Sequence, residues 1–295
     1  MLPIVTWTVD PVMLQLGSIH IAWYGAFFAL GLIIFGYGIV TRMWEREGLP
    51  EKWLLTLFYV VVIGTVVGAR LGHCLFYDPA YYLAHPGEII KIWHGGLASH
   101  GGVLGIILGV WWYSRRITHK SMLWTFDRLV VPTGLVAALI RIGNLFNHEI
   151  YGHATNVPWA FRYITNIRAW QAGADPVFTA PSHPTQLYEA TCYLLTFALC
   201  MWLYWKKDMQ KRQGFLFGVF MVCVFTARFV IEFVKNDQSA FEASMPLNMG
   251  QLLSIPFIVV GIGSIVYSLK RPAVPVRILT PQEIKAKRAQ ARNKK

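Results

Sequence analysis

The sequence predicts an all-α membrane protein, a polytopic bundle of seven transmembrane helices. Of its 295 residues, 55% are hydrophobic and only 14% are charged, whereas a soluble domain carries about 25% charged residues. The mean hydropathy is +0.43. The chain also has 12 Trp, 13 Tyr and 18 Phe, residues that anchor proteins at lipid–water interfaces. This composition excludes a soluble enzyme and a disordered or fibrous chain.

Seven apolar stretches are long enough to cross a bilayer, for which a helix needs about 20 residues. They lie at 19–40, 52–73, 95–113, 122–146, 186–205, 214–234 and 250–269. Most Lys and Arg fall in the three short connections 41–52, 114–121 and 206–213 and in the tail. Because basic connections stay in the cytoplasm, the N-terminus is predicted outside and the C-terminus inside. We expect a transmembrane domain over 1–269 and a basic cytoplasmic tail over 270–295.

Two further patterns describe the bundle. The connection 147–185 is too long for a simple turn, so we expect a small folded periplasmic cap between helices four and five. Glycines recur every fourth residue in the second and third stretches, which lets helix backbones approach closely in lipid. These glycines are Gly64, Gly68, Gly72, Gly101, Gly105 and Gly109. The four cysteines show no metal-binding or disulfide spacing, so no metal site is expected.

Polar side chains within or beside the spans are functional candidates because they are costly in lipid. With the predicted orientation, they collect in the outer half of the membrane. They are Tyr24, Arg70, His100, Arg141, Asn144, Asn147, Glu149, Gln186, Glu189, Arg228 and Glu232. Arg128 and Asp127 fall near the cytoplasmic end instead, where they are expected to snorkel or pair.

Each of these residues also has a structural interpretation. Arg228 and Glu232 are four residues apart, the spacing of an intrahelical ion pair. His100 is also explained as a hydrogen-bonding packing residue, the two asparagines as interhelical contacts, and Tyr24 as an interfacial aromatic. Their concentration in one leaflet favours a common function.

Three arginines with only two intramembrane carboxylates nearby predict an excess of positive charge and therefore a bound anion. A lipid phosphate lies at that depth, and arginine binds phosphate well. A lipid-modifying enzyme and a lipid or solute transporter both fit this pattern, with a membrane scaffold as a third alternative. The chain has no evident filter sequence or ring of like charge for a channel, and no intramembrane lysine for a retinal-type pump.

Seven segments, in order, resemble the bacterial prolipoprotein diacylglyceryl transferase family. The central one is RIGNLFNHEIYG at 141–152. The others are HIAWYG at 20–25, GARLGH at 68–73, WHGGLASHGG at 93–102, SHPTQLYE at 182–189, ARFVIEF at 227–233 and MGQLLSIP at 249–256. The resemblance covers most of the chain.

The resemblance implies transfer of the diacylglyceryl group of phosphatidylglycerol to the lipobox cysteine of a preprolipoprotein, with release of glycerol phosphate. It implies an enzyme of the bacterial cytoplasmic (inner) membrane that needs no cofactor. Its partners would be phosphatidylglycerol and lipobox signal peptides, with no nucleic acid, and we expect a monomer. The nucleophile comes from the substrate, so the enzyme must supply a base for the thiol and positive charge for the leaving phosphate.

Roles for the individual residues follow from the resemblance and this chemistry. Arg141 and Arg228 are expected to bind the phosphate, and Glu232 to position Arg228. His100 is the candidate general base, with Glu149 and Glu232 as rivals. The expected lipid-binding residues besides the two arginines are Tyr24, Arg70, Asn144, Asn147, Gln186 and Glu189.

Overall fold

The computed structural model of the chain describes residues 4–17, 19–92, 95–236 and 245–292, which are mainly helical. The helices are α1 (Trp23–Arg46), α2 (Glu51–Phe76), α3 (Pro79–Ala84), α4 (Ser99–Tyr113), α5 (Met122–Phe146), α6 (Ile167–Gln171), α7 (Thr185–Trp205), α8 (Phe215–Val234), α9 (Met249–Lys270) and α10 (Pro281–Arg292). The strands are β1 (Val5–Thr6), β2 (Val12–Leu16), β3 (Ile19–Ala22) and β4 (Phe161–Arg162).

Within the described residues, six helices are long and apolar enough to span a membrane: α1, α2, α5, α7, α8 and α9. They match six of the seven predicted stretches. The remaining stretch corresponds to α4, which has 15 residues and continues as a π-helical turn over Ser114–Thr118. Fifteen residues rise about 22 Å, less than the roughly 30 Å apolar core of a bilayer. A seventh span therefore stays a prediction.

The start of the first predicted span was wrong. The stretch was expected to be helical from residue 19, but strands β2 and β3 form an antiparallel hairpin and α1 begins at Trp23. The chain turns at Gly17, whose φ of +60° lies in the left-handed region that glycine adopts without steric cost. Hydropathy alone does not distinguish an apolar strand from the first turn of an apolar helix.

The chain forms two compact units. The first consists of residues 1–39 and 129–274, and the second of 40–128 and 275–295. In the first unit, glycines bring neighbouring helices into backbone contact. A Cβ at Gly134 of α5 would lie 2.9 Å from the Tyr193 carbonyl oxygen of α7, and one at Gly218 of α8 would lie 2.6 Å from the Gly261 carbonyl oxygen of α9. Such close packing is typical of helices in lipid.

The connection between α5 and α7 is folded. Its strand β4 pairs in parallel with β1, and isolated bridges join Ala154 to Ser182 and Ile164 to Phe178. Helix α6 lies between these bridges in sequence, and Tyr163 and Ile164 are buried. The segment is therefore compact, as expected of a cap, while its position outside the membrane stays a prediction.

In the second unit, the glycine pattern has the predicted effect. A Cβ at Gly64 of α2 would lie 2.8 Å from the Gly105 carbonyl oxygen of α4, and one at Gly72 would lie 2.7 Å from the Gly101 Cα. The pairing expected for Arg128 is also confirmed. Its Nε and Nη2 donate to Glu47 Oε2 over 3.2 and 2.5 Å, and its guanidinium stacks 3.9 Å from the Trp124 ring centre.

Candidate active site

Polar side chains gather at one end of the helices of the first unit. This is where α5 and α8 end and where α1, α7 and α9 begin. The side chains are Tyr24 from α1, Arg141 and Asn144 from α5, Gln186 and Glu189 from α7, Arg228 and Glu232 from α8, and Gln251 from α9. The structure thus brings together predicted site residues that are distant in sequence, from Tyr24 to Glu232, as the hydrogen bonds and ion pairs below show.

The centre of this site is a row of alternating charges, Arg141–Glu189–Lys235–Glu232–Arg228. Arg141 Nε lies 2.6 Å from Glu189 Oε2, and Lys235 Nζ lies 3.3 Å from Glu189 Oε1. Lys235 Nζ also donates to Glu232 Oε1 over 3.1 Å, and Arg228 Nε lies 3.6 Å from the same oxygen. We call this row the charged cluster. Buried charges persist when each is compensated by a neighbour of opposite sign, and here the cluster ties the two arginines together.

Lys235 was not among the predicted site residues. It is only 1% exposed, and a β-bridge pairs it with Gly152 of the central motif. A Cβ at Gly152 would collide with the Val234 carbonyl oxygen, so glycine is needed there for the two segments to meet. The one available signal was the three-residue spacing between Glu232 and Lys235, which suits an ion pair.

The charge balance of the site differs from the predicted one, because Arg70 lies in the second unit, Glu149 adds a carboxylate and this lysine adds a cation. With Arg141 and Arg228, Lys235 makes three cations, which face three carboxylates. The carboxylates are Glu149, Glu189 and Glu232. The charges of these six side chains are formally balanced. The argument for an anion site therefore depends on which N–H groups of the cations are accessible to a ligand.

Arg228 has open donors. Its side chain is 32% exposed, while its Nε is buried and lies 3.6 Å from Glu232 Oε1. Within the described residues, no hydrogen bond engages its two terminal Nη groups. Arg141 is 17% exposed, with Nε at Glu189 and Nη1 donating to Asn144 Oδ1 over 3.0 Å. The guanidinium group presents five donors in a planar fork that matches phosphate oxygens. Arg228 therefore has the capacity to bind a phosphate, and the carboxylates of the cluster hold both arginines in place.

The central motif forms a turn at the end of α5. Asn144 and Asn147 each donate an amide hydrogen to Glu149 Oε1, over 2.9 and 3.0 Å, and the Glu149 backbone N–H donates to the Asn144 carbonyl. Glu149 itself is exposed. One carboxylate oxygen is thus fixed by two amides, while no hydrogen bond within the described residues engages the other.

Tyr24 packs directly on this motif. A Cβ at Gly143 would lie 2.9 Å from Tyr24 Cδ2 and 3.0 Å from its Cα. The missing side chain at Gly143 therefore lets the start of α1 approach the end of α5. This contact keeps Tyr24 within electrostatic range of Glu149 and Arg141.

Gln186 is fully buried beneath the turn. Its Nε2 donates to the Glu149 carbonyl oxygen over 2.7 Å, and its Oε1 accepts from the Tyr163 hydroxyl over 3.2 Å. Burial raises the pKa of Tyr163, which keeps that hydroxyl protonated as a donor. Both ends of the Gln186 amide are occupied, so these contacts favour a positioning role over direct lipid binding.

The start of α9 supports Glu232 in the same way. Asn248 forms a capping box with Gln251 and donates from Nδ2 to Glu232 Oε2 over 3.3 Å. A Cβ at Gly250 would lie 2.5 Å from Glu232 Cδ. Neither Asn248 nor this function of Gly250 was predicted, because a helix cap reveals the helix end from sequence but not the carboxylate it faces.

Arg70 and His100 belong to the second unit. The Arg70 guanidinium donates to the backbone carbonyls of Glu88, Ile89, Gly95 and Gly96 over 2.6 to 3.1 Å. These contacts favour a role in holding the backbone at residues 88–89 and 95–96. His100 is exposed at the start of α4, with its ring centre 5.2 Å from that of Phe76 and 5.9 Å from that of Tyr77. Trp93 and His94, which begin the same resembling segment, lie outside the described residues.

Comparison with known proteins gives a consistent assignment. The sequence model of the family "Prolipoprotein diacylglyceryl transferase" matches residues 11–267. A Porphyromonas gingivalis protein is 54% identical, covering 91% of this chain and 96% of its own length. Proteins from Chloroherpeton thalassium and Tolumonas auensis are 48% and 44% identical, each covering 90% of this chain and 94% and 98% of their own length. All three are named phosphatidylglycerol–prolipoprotein diacylglyceryl transferase. The chain belongs to the prolipoprotein diacylglyceryl transferase family.

Proposed function

We propose that this protein transfers the diacylglyceryl group of phosphatidylglycerol to the cysteine thiol of a lipobox signal peptide. The observation that carries the proposal is the charged cluster, in which Arg141 and Arg228 are held by buried carboxylates while the Arg228 side chain stays 32% exposed. Phosphatidylglycerol and prolipoproteins are the substrates in the names of the related proteins. A fixed pair of guanidinium groups suits the phosphodiester of such a lipid.

The reaction is a displacement at the glyceryl carbon that carries the phosphate ester. The substrate thiol loses its proton to a base, and the thiolate attacks that carbon. A carbon–sulfur bond forms, the carbon–oxygen bond to phosphate breaks, and glycerol phosphate leaves with an additional negative charge. Arg141 and Arg228 stabilise this developing charge, which is the main electrostatic demand of the reaction.

We assign His100 as the general base that takes the thiol proton, in keeping with the family resemblance. Glu149 is the rival favoured by its contacts, since one of its oxygens is unengaged within the described residues. Glu232 is the weaker rival, because its oxygens already accept hydrogen bonds from Lys235 and Asn248. A carboxylate with both oxygens engaged gives up a hydrogen bond when it takes a proton.

The remaining residues orient the lipid and hold the catalytic groups. Tyr24, Asn144 and Asn147 are proposed to contact the headgroup. Glu189 and Gln186 act beneath them, on Arg141 and on the motif turn, and Arg70 acts through the backbone at residues 88–89 and 95–96. The chain itself supplies every group that this mechanism uses, so no cofactor is required.

We also propose how the protein lies in the membrane. It is a monomer of the bacterial inner membrane, with α4 as its seventh span, an external N-terminus and an external cap in the connection 147–185. The site then lies in the outer half of the bilayer, and residues 270–295 are cytoplasmic. The distribution of Lys and Arg supports this orientation.

A reporter fused after residue 295 should behave as cytoplasmic, and an external reporter would reverse the depth of every site residue.

The function is tested with purified protein, phosphatidylglycerol vesicles and a synthetic lipobox peptide. We expect the mass of the peptide to increase by one diacylglyceryl group, and a peptide with serine in place of the cysteine to stay unmodified. An unmodified cysteine peptide, together with movement of labelled lipid between leaflets, would instead identify a lipid transporter.

A further inference from the structure

His148 is a buried histidine that the sequence analysis did not single out and the mechanism does not use. It stands between Asn147 and Glu149 in the motif turn and is 5% exposed. Its backbone φ is +56°, in the left-handed region that few side chains favour. A strained backbone and a buried titratable ring at the residue preceding Glu149 call for an explanation.

Both ring nitrogens of His148 are bound by backbone groups from separate segments. The Ile164 N–H donates to Nδ1 over 3.0 Å, and Nε2 lies 2.9 Å from the Val9 carbonyl oxygen. A backbone N–H only donates and a carbonyl only accepts. The ring is therefore the neutral tautomer with its proton on Nε2, and it joins the motif turn to the N-terminal segment and to the 147–185 connection.

We propose that His148 is a positioning residue for diacylglyceryl transfer, which in its neutral form fixes the Asn147–Glu149 turn and on protonation releases the link of that turn to Ile164. The proposal rests on the proposed function. A proton on Nδ1 would place an N–H against the Ile164 N–H, so that hydrogen bond is lost and two buried donors face each other. The turn would then lose its link to Ile164 and keep those through Nε2 to Val9 and through Gln186.

The surroundings of the ring favour its neutral form. Burial lowers the pKa of His148, and this effect outweighs the opposing influences of the Val9 carbonyl and the Asp10 charge. Asp10 faces the ring from the N-terminal segment, where its Oδ1 accepts from Val12 N and Gln171 Nε2. The aromatic neighbours are Tyr163 and Trp170, with ring centres at 6.4 Å. Tyr163 is uncharged, so Asp10 is the charged group that opposes the neutral state.

The sign of the pH dependence follows from this shift. The unfolded chain has an ordinary histidine pKa of about 6.5 and binds the proton more readily than the folded protein. The stabilisation by neutral His148 is therefore complete above about pH 6.5 and declines as the pH falls through the lowered pKa of the folded state. Turnover that depends on the fixed turn should decline over the same acidic range.

The test compares two substitutions. His148→Asn tolerates a positive φ and offers an acceptor near the position of Nδ1, but it does not titrate. His148→Gly also tolerates the backbone but loses both side-chain hydrogen bonds. His119→Asn is the matched control, because His119 has a φ of +53° and lies in the second unit. Turnover of a lipobox peptide per folded molecule is measured for each protein from about pH 5 to pH 8, a range that spans the histidine pKa.

We expect His148→Asn to keep near-wild-type kcat at neutral pH and His148→Gly to lose roughly tenfold, the usual effect of leaving buried groups unpaired. On acidification, wild type and His119→Asn should lose turnover by several-fold more than His148→Asn, so their ratio to it falls. Identical acid profiles in wild type and His148→Asn would overturn the proposal, as would wild-type kcat in His148→Gly. If the glycine variant does not fold, the asparagine variant decides alone.

A failure of the proposed function is separable from a failure of this inference. If wild type modifies no peptide at any pH, the proposed function is wrong. Thermal unfolding then tests whether neutral His148 stabilises the motif turn. The melting temperature of wild type should fall more than that of His148→Asn between neutral and acidic pH. An equal fall in both proteins would contradict the proposed role of His148.

Discussion

Two arginines within helices, one in each unit, show how one residue type serves structure in one place and binding in another. Arg128, in the second unit, is fully buried. Its Nε and Nη2 bind Glu47, its Nη1 binds the Trp124 carbonyl, and its guanidinium stacks on the Trp124 ring. Arg228, in the first unit, is 32% exposed and is 3.6 Å from its carboxylate. The guanidinium group of Arg128 is therefore engaged by protein neighbours, whereas that of Arg228 keeps donors for a ligand.

This difference shows that a charge within a span does not by itself identify a binding arginine. A binding arginine is distinguished from a structural one by the N–H donors that its protein neighbours leave unengaged. Charged residues in membrane helices are functional candidates by default, and both arginines meet that criterion. Glu47 neutralises Arg128 and leaves it little capacity for a ligand. The charged cluster holds Arg228 through one long contact, which leaves its donors for a phosphate.

The largest expected effect concerns His100, which in contrast to Arg128 is an exposed polar side chain of the second unit. If it is the general base, His100→Gln should lower turnover by about 100- to 10,000-fold with little change in melting temperature. Peptide turnover and thermal unfolding are measured on the same preparation. Glu149→Gln is the parallel variant. A fully active but unstable His100→Gln protein would make the histidine structural and move the base to Glu149.

The next effect concerns the two arginines of the charged cluster. Arg141→Lys and Arg228→Lys keep the charge but lose the planar fork. We expect turnover to fall by about 100- to 1,000-fold, the usual loss when a group that stabilises transition-state charge is removed. Arg128→Lys is the matched control and should be much milder in turnover. Near-wild-type rates in both cluster variants, at normal protein levels, would refute the proposed phosphate clamp.

The smallest effect on catalysis is expected at Arg128, whose donors are engaged by protein neighbours. Arg128→Met removes the cation that pairs with the buried Glu47 carboxylate, which should cost about 3–5 kcal/mol of stability, while turnover per folded molecule stays near wild type. Thermal unfolding and active-site-normalised turnover measure the two quantities. The double variant Arg128→Met/Glu47→Gln should recover part of the stability. A specific loss of turnover in a stable Arg128→Met protein would place this arginine in the catalytic machinery and erase the contrast with Arg228.

Much of the fold follows from hydropathy. Six helices lie where apolar stretches predict them, and α5 has the predicted bounds. The hairpin before α1 was not predictable, because apolar strands and apolar helices have similar hydropathy over four residues. The glycine pattern on α2 and α4 identified a real contact, since few structures other than close helix packing require such a pattern.

The sequence predicted which residues gather at the charged cluster better than it predicted what each of them does. Arg141, Glu189, Arg228 and Glu232 do meet, because they lie at corresponding ends of their helices. Lys235 escaped prediction because the burial of a residue after a helix depends on where the chain returns, here against Gly152. His148 escaped because its partners, Val9 and Ile164, are backbone groups distant in sequence.

The most direct test of the central claim is binding of phosphatidylglycerol without peptide, measured as lipid retained per purified protein. Arg128→Lys should retain as much phosphatidylglycerol as wild type, because its donors are engaged with Glu47 and Trp124. Arg228→Lys should retain markedly less, because a compact ammonium does not replace the planar fork at a phosphate. Equal retention by wild type and both variants would contradict the account, since Arg228 would then have no part in holding the lipid.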